Sequence, residues 1–172
     1  PPPFPTSPPL PPAWPQALLT RDSLRAAVDA WVADPAAAEA THGHISGWDV
    51  SRVDDMSHLF DGSSNFNEAI GGWDTSSVTN MAYTFVFAGV FNSELAWDAS
   101  KVTCMHGTFE GANAFNAQLN WDTSSVTTMA GTFNGAAAFN SELNWDTSKA
   151  ETMNRMFYHA DMFDQALGGW DT

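Results

Sequence analysis

The dipeptide Trp-Asp recurs at 48, 73, 97, 121, 145 and 170, at intervals of 25, 24, 24, 24 and 25 residues. A fixed period in this range marks a chain of stacked repeats, in which no unit can bury its apolar face alone. Five full repeats occupy 48–72, 73–96, 97–120, 121–144 and 145–169, and a sixth begins at Trp170. The two longer repeats carry their extra residue at Gly71-Gly72 and Gly168-Gly169.

Counted from each Trp as zero, the apolar positions fall into columns. Position 5 is Val53, Val78, Val102, Val126 and Ala150; position 8 is Met56, Met81, Met105, Met129 and Met153. Position 12 is Phe60, Phe85, Phe109, Phe133 and Phe157, and position 18 is Phe66, Phe91, Phe115, Phe139 and Phe163. Position 15 is small in every repeat, and position 22 is Ile70, Leu95, Leu119, Leu143 and Leu167. Met, Phe and the small residue stand at i, i+4 and i+7, which predicts one stripe of a two-turn helix, for example over 129–136. The hydroxyl-rich and β-branched segment from Asp122 predicts a turn and a very short strand. The expectation is an α/β repeat solenoid of leucine-rich-repeat-like geometry. It would have about five coils of 24–25 residues, each with a short strand and a short helix.

Two segments precede the repeats. Residues 1–19 hold nine of the ten prolines and predict a polyproline II arm, either a stiff spacer or a docking ligand. Residues 20–47 predict a helical cap. Leu24, Val28, Trp31 and Val32 share one face of a helix over 20–33, Thr20 or Asp22 can cap its start, and Asp34-Pro35 ends it. Residues 48–172 are the repeat domain.

With 20 Asp+Glu against 6 Lys+Arg, the chain carries a formal charge of −14, which argues against a nucleic-acid partner. A lone Cys104 leaves no intrachain disulfide and no cysteine zinc site. No apolar run approaches the roughly 18 residues that span a bilayer, and no signal peptide is expected.

The segment W-D-T-S-S-V-T-N-M at 73–81, followed by Phe85 and by Phe91-Asn92, resembles the BspA-like surface-protein repeat. The helix 20–33 followed by His44-Ile45-Ser46-Gly47-Trp48-Asp49-Val50-Ser51 is similar to the N-terminal cap of eukaryotic members. The resemblance covers 20–172. It implies an extracellular, leucine-rich-repeat-like surface module, associated in bacteria with adhesion, and it implies no reaction.

The repeated polar columns each have a structural and a ligand-binding reading. Asp49, Asp74, Asp98, Asp122, Asp146 and Asp171 would repel one another if stacked about 5 Å apart. Asx-turn capping by the backbone, with Ser two residues on, offsets that; a row of Ca²⁺ sites is the alternative. Asn67, Asn92, Asn116 and Asn140, with Asp164, read as an inward ladder satisfying turn backbone. Trp48, Trp73, Trp97, Trp121 and Trp145 read as core residues, although an exposed Trp row would suit sugar stacking. Thr75, Ser76, Thr123, Ser124, Thr147 and Ser148 are expected to form outward rows. The histidines do not align, and His42-Gly43-His44 is a weak metal signal.

Neither a catalytic motif nor a resident cofactor is expected. Met153, Phe157, Phe163, Leu167 and Trp170 are the candidate assembly interface, because the last full coil has no following coil to cover it. The expected partners are other surface proteins or subunits, including a second copy head-to-tail, and glycans. The functional expectation is a non-enzymatic structural or adhesion module, with ligand binding on one solenoid face as the alternative.

Overall fold

The structure is a computed structural model that describes residues 20–170. The proline-rich arm and Asp171 lie outside the described residues. Helix α1 runs Arg21–Ala33, and a capping box fixes its start: the Thr20 hydroxyl accepts from the Ser23 N–H, and Ser23 returns the bond to the Thr20 N–H. Asp34 ends α1 and at once caps α2, Pro35–His42, accepting from the Ala37 N–H. Pro35 at the first helical position makes this restart possible, because its missing N–H would have had no partner there. Leu24, Ala27, Val28 and Trp31 are the buried face of α1. Val32 is 45% exposed and does not share that face; Ala27 takes the expected place. A 3-10 turn at Ile45–Gly47 leads into Trp48.

The α/β solenoid with a strand and a helix in each coil is not what the chain forms. Among the described residues α1 and α2 are the α-helices, and the repeats contain no strand. Where strands were expected there are single parallel bridges at position 7, linking Asp55, Asn80, Cys104, Thr128 and Thr152 in turn. Where a helix was expected over 129–136 there are consecutive β-turns. The Thr132, Asn134 and Ala136 N–H groups reach the carbonyls of Met129, Gly131 and Phe133 at 3.3, 2.9 and 3.0 Å.

The reason lies in two backbone positions. Position 10 has φ between 57° and 65° in all five repeats, at His58, Tyr83, Gly107, Gly131 and Arg155. Position 14 is likewise left-handed, at Gly62, Phe87, Gly111, Gly135 and His159. A positive φ at the third residue of a turn is the type II geometry, and it cannot propagate a right-handed helix. Two such turns repeat every four residues, which over so short a stretch looks like helical spacing.

The turns also divide the backbone donors between local and inter-repeat bonds. Met105, Gly107, Phe109 and Gly111 donate to the carbonyls of Thr128, Ala130, Thr132 and Asn134 in the next repeat, at 2.7–2.9 Å. Thr108, Glu110 and Ala112 donate three residues back, to Met105, Gly107 and Phe109. The repeats are thereby hydrogen-bonded in register without extended strands.

The core is a set of ring stacks running through the repeats. Successive Trp rings from Trp48 to Trp145 lie 6.2–6.4 Å apart and nearly parallel from Trp73 onward. Phe60, Phe85, Phe109, Phe133 and Phe157 stack at 5.1–5.7 Å. Phe66, Phe91, Phe115, Phe139 and Phe163 form a third stack at 5.8–6.0 Å. The first coil is covered by α1, with Trp31 edge-on to Trp48 at 5.9 Å and Arg21 paired to Asp55 at 3.3 Å.

Candidate functional site

Each Trp of the column is buried, and its indole N–H donates inward. Trp73, Trp97, Trp121 and Trp145 bond the carbonyls of Ile45, Ile70, Leu95 and Leu119, at 2.9, 3.0, 3.1 and 3.3 Å. Trp48 bonds the Gly43 carbonyl at 3.0 Å. For Trp97, Trp121 and Trp145 the acceptor is position 22 of the repeat before the preceding one, just ahead of the neighbouring Trp, and the indoles stack on one another.

The five described Asp residues of the column all bond the Ser two residues on. Asp49, Asp74, Asp98, Asp122 and Asp146 accept from the N–H groups of Ser51, Ser76, Ser100, Ser124 and Ser148 at 2.9–3.1 Å. The serine hydroxyl first, and then this N–H, hold each carboxyl below its ordinary value. The neighbouring carboxylates work the other way on Asp49, Asp74 and Asp122. Among the described residues, no three His, Cys, Asp or Glu side chains are grouped to hold a metal ion.

The Asn column forms a ladder, but at the surface and not inward. Asn67, Asn92, Asn116 and Asn140 each accept, through the side-chain oxygen, from the next repeat's N–H at Asn92, Asn116, Asn140 and Asp164, at 2.7–2.8 Å. Asn67, Asn92 and Asn116 are exposed and Asn140 is half-buried. Their role is to bridge repeats where backbone groups alone do not meet.

The expected outward threonine rows are partly overturned. Thr75, Thr123 and Thr147 are buried, and the hydroxyls of Thr75 and Thr123 donate across to the carbonyls of Asp98 and Asp146 at 3.1 and 2.9 Å. Ala99, which interrupts that column in the sequence, is equally buried. A second threonine column escaped the sequence reading. Thr84, Thr108 and Thr132 at position 11 are fully buried, and each hydroxyl lies within 2.7–3.1 Å of two carbonyls, one in its own turn and one in the preceding repeat. The signal was the run of Thr at one position in three successive repeats.

The side faces carry most of the irregular residues. His58 stacks on Tyr83 at 4.9 Å, and Tyr83 meets His106 edge-on at 4.9 Å. Burial and then the nearby Glu110 carboxylate push the Tyr83 phenol up. Phe87, Val90, Tyr158 and Met162 are exposed. His44 and His42 pack edge-on against Trp31 and Trp48, and the His44 ring is tied to the Ser46 hydroxyl at 2.8 Å. They close the cap rather than converge on a site.

The last full coil differs from its predecessors. Met153, Phe157, Phe163, Leu167 and Trp170 are half-buried, whereas Met129, Phe133 and Phe139, which match the first three, are fully buried. The Trp170 indole N–H is enclosed, with no hydrogen-bond partner among the described residues. No described helix is long and apolar enough to cross a membrane.

No curated protein and no solved structure matches the chain. The family DUF285, described as a Mycoplasma protein of unknown function, matches residues 33–96 and 95–172, from the last residue of α1 through the repeats. With most of its length so matched, the chain belongs to the DUF285 family.

Proposed function

We propose that the chain is a non-enzymatic structural or adhesion module of an extracellular surface protein, of the BspA-like kind, in which the repeats build a stiff spacer and the apolar edge of the 145–169 coil packs against a further coil or subunit. The observation that carries this reading is the use made of the repeated positions. The Trp, Phe and buried Thr columns contact or hydrogen-bond the repeats above and below, and the Asn column bridges them. The repeated chemistry therefore supports length and register. The half-buried Met153, Phe157, Phe163, Leu167 and Trp170 provide the apolar surface for joining.

Light scattering and negative-stain imaging of the 172-residue chain against concentration test the assembly part. The expected result is concentration-dependent growth that Phe157→Lys abolishes. A monomer at all concentrations, with the fold intact, overturns assembly through this face.

A second reading, ligand binding on one lateral face, is favoured by one observation. Phe87 and Tyr158 are more than half exposed on the surface that carries the left-handed turns.

A further inference from the structure

The left-handed positions of the second repeat hold residues that the backbone disfavours. Position 10 and position 14 are glycine in the third and fourth repeats, at Gly107, Gly111, Gly131 and Gly135. In the second repeat the same positions are Tyr83 and Phe87, with φ of 57° and 56°. Non-glycine residues are uncommon at such angles, and bulky ones are outliers. A pair of outliers on one face points to a use for their side chains.

The rings lie across the next repeat. A Cβ on Gly107 would stand 2.5 Å from Cε1 of Tyr83, and a Cβ on Gly111 would collide with the Phe87 ring. Glycine in the third repeat is thus what lets the rings lie down. One repeat further on no ring lies over Gly131 or Gly135: a Cβ there would meet ordinary contacts only, Asn134 Cβ at 3.8 Å and the Gly111 backbone at 3.6 Å, with Gly131 buried and Gly135 half-buried. A step of backbone that no ring covers therefore adjoins two aromatic rings. Polar groups flank it: Asn134 Nδ2 donates to Glu110 Oε1 at 2.9 Å. Beyond the step stands Tyr158, 54% exposed, with the Arg155 guanidinium 5.9 Å from its ring centre. At the near end Phe87 is 59% exposed.

We propose that this strip, Phe87, the Gly131–Gly135 step with Glu110 and Asn134, and Tyr158, binds a neutral hexopyranose chain. The inference rests on the second functional reading and gives it a site and a ligand class. Rings with an exposed apolar face and a polar neighbour suit the apolar face and hydroxyl rim of a sugar. Phe87 and Tyr158 belong to repeats three apart, so a spacing of about 5 Å per coil separates them by about 15 Å. That span needs an extended ligand with several rings, and a single sugar would reach only one platform. The charge of −14 repels polyanions and leaves a neutral chain as the fitting occupant.

The test is isothermal titration of the 172-residue chain with cellohexaose, laminarihexaose and mannohexaose. Saturable binding of at least one is expected, weakened about ten-fold or more by Phe87→Gly and by Tyr158→Ser, as loss of one aromatic platform implies. Phe87→Gly installs the residue that the third and fourth repeats carry at this position, so its melting curve reports that the fold is retained. A control, Glu94→Gln on a separate groove beside Trp97 and Trp121, leaves binding unchanged. Binding that survives both aromatic substitutions overturns this site and leaves lateral ligand binding standing. No saturable binding of any of the three by the folded chain overturns the glycan assignment. Self-association abolished by Phe87→Gly, with no sugar binding, gives the strip to a second copy and also overturns it.

Discussion

Replacing Gly131 by Ala should destabilise the chain by about 1 kcal/mol. Gly131 sits at φ 65°, where an L-residue loses about 1–2 kcal/mol. Removing glycine's freedom in the unfolded chain offsets about 0.4–1 kcal/mol of that. No steric term enters, because the nearest atoms to the new Cβ would be 3.8 Å away, and the Gly131 N–H bond to the Asn154 carbonyl at 3.0 Å is kept. For a chain of this size the melting temperature should fall by about 2–4 °C. Gly107→Ala should fall further, since the same angle is joined by contact with the Tyr83 ring at 2.5 Å. The assay is thermal unfolding followed by far-ultraviolet circular dichroism, with both variants beside the parent chain. The sign is decisive. In a helix, glycine to alanine would stabilise by about 1 kcal/mol. A Gly131→Ala chain as stable as the parent, or more so, would refute the left-handed turn.

Two further predictions follow from the ring stacks and the Asp column. Phe109→Ala, fully buried between Phe85 and Phe133, should cost about 3–5 kcal/mol, and Phe157→Ala, half-buried, clearly less; urea unfolding with equal losses at the two sites would contradict the stack. Asp49, Asp74, Asp98, Asp122 and Asp146 have folded values held below the ordinary one, so their contribution is complete above the unfolded pKa of about 3.9 and is lost as pH falls through the lower folded values. The melting temperature should decline below about pH 4, modestly because these carboxylates are largely solvated, and a rise on acidification through that range would be the contrary result.

Periodicity makes the stacking axis legible in the amino-acid sequence alone. A Trp, two Phe and a Met that return every 24 or 25 residues bury themselves only against their own copies, and rings 5–6 Å apart are the outcome. The caps by Thr20 and the Asp-x-Ser units are legible too, because they act on backbone within three residues of themselves, whereas Asp34 read only as a helix end and the structure adds its capping of α2. The helix over 129–136 failed because four-residue turn spacing and helical spacing coincide across two turns. The glycines at 107, 111, 131 and 135 were the available warning, as they stand where a helix interior would lose about 1 kcal/mol for each. Thr75 and Thr123 read as outward hydroxyl rows, but in the turn their hydroxyls reach a carbonyl of the next repeat.

By itself the sequence determined the repeat length, the columns and the start of the first helix, all properties of local chemistry or of a period, while the burial of the indoles was favoured there and decided by the stacking. Only the tertiary structure decided the path within a repeat. That path depends on which backbone N–H groups find a carbonyl in the neighbouring coil, and this pairing joins residues 23 to 26 apart whose side chains need not resemble one another. The same holds for the aromatic strip. Phe87 matters because of a glycine a full repeat away, and that proximity exists only once the coils are stacked.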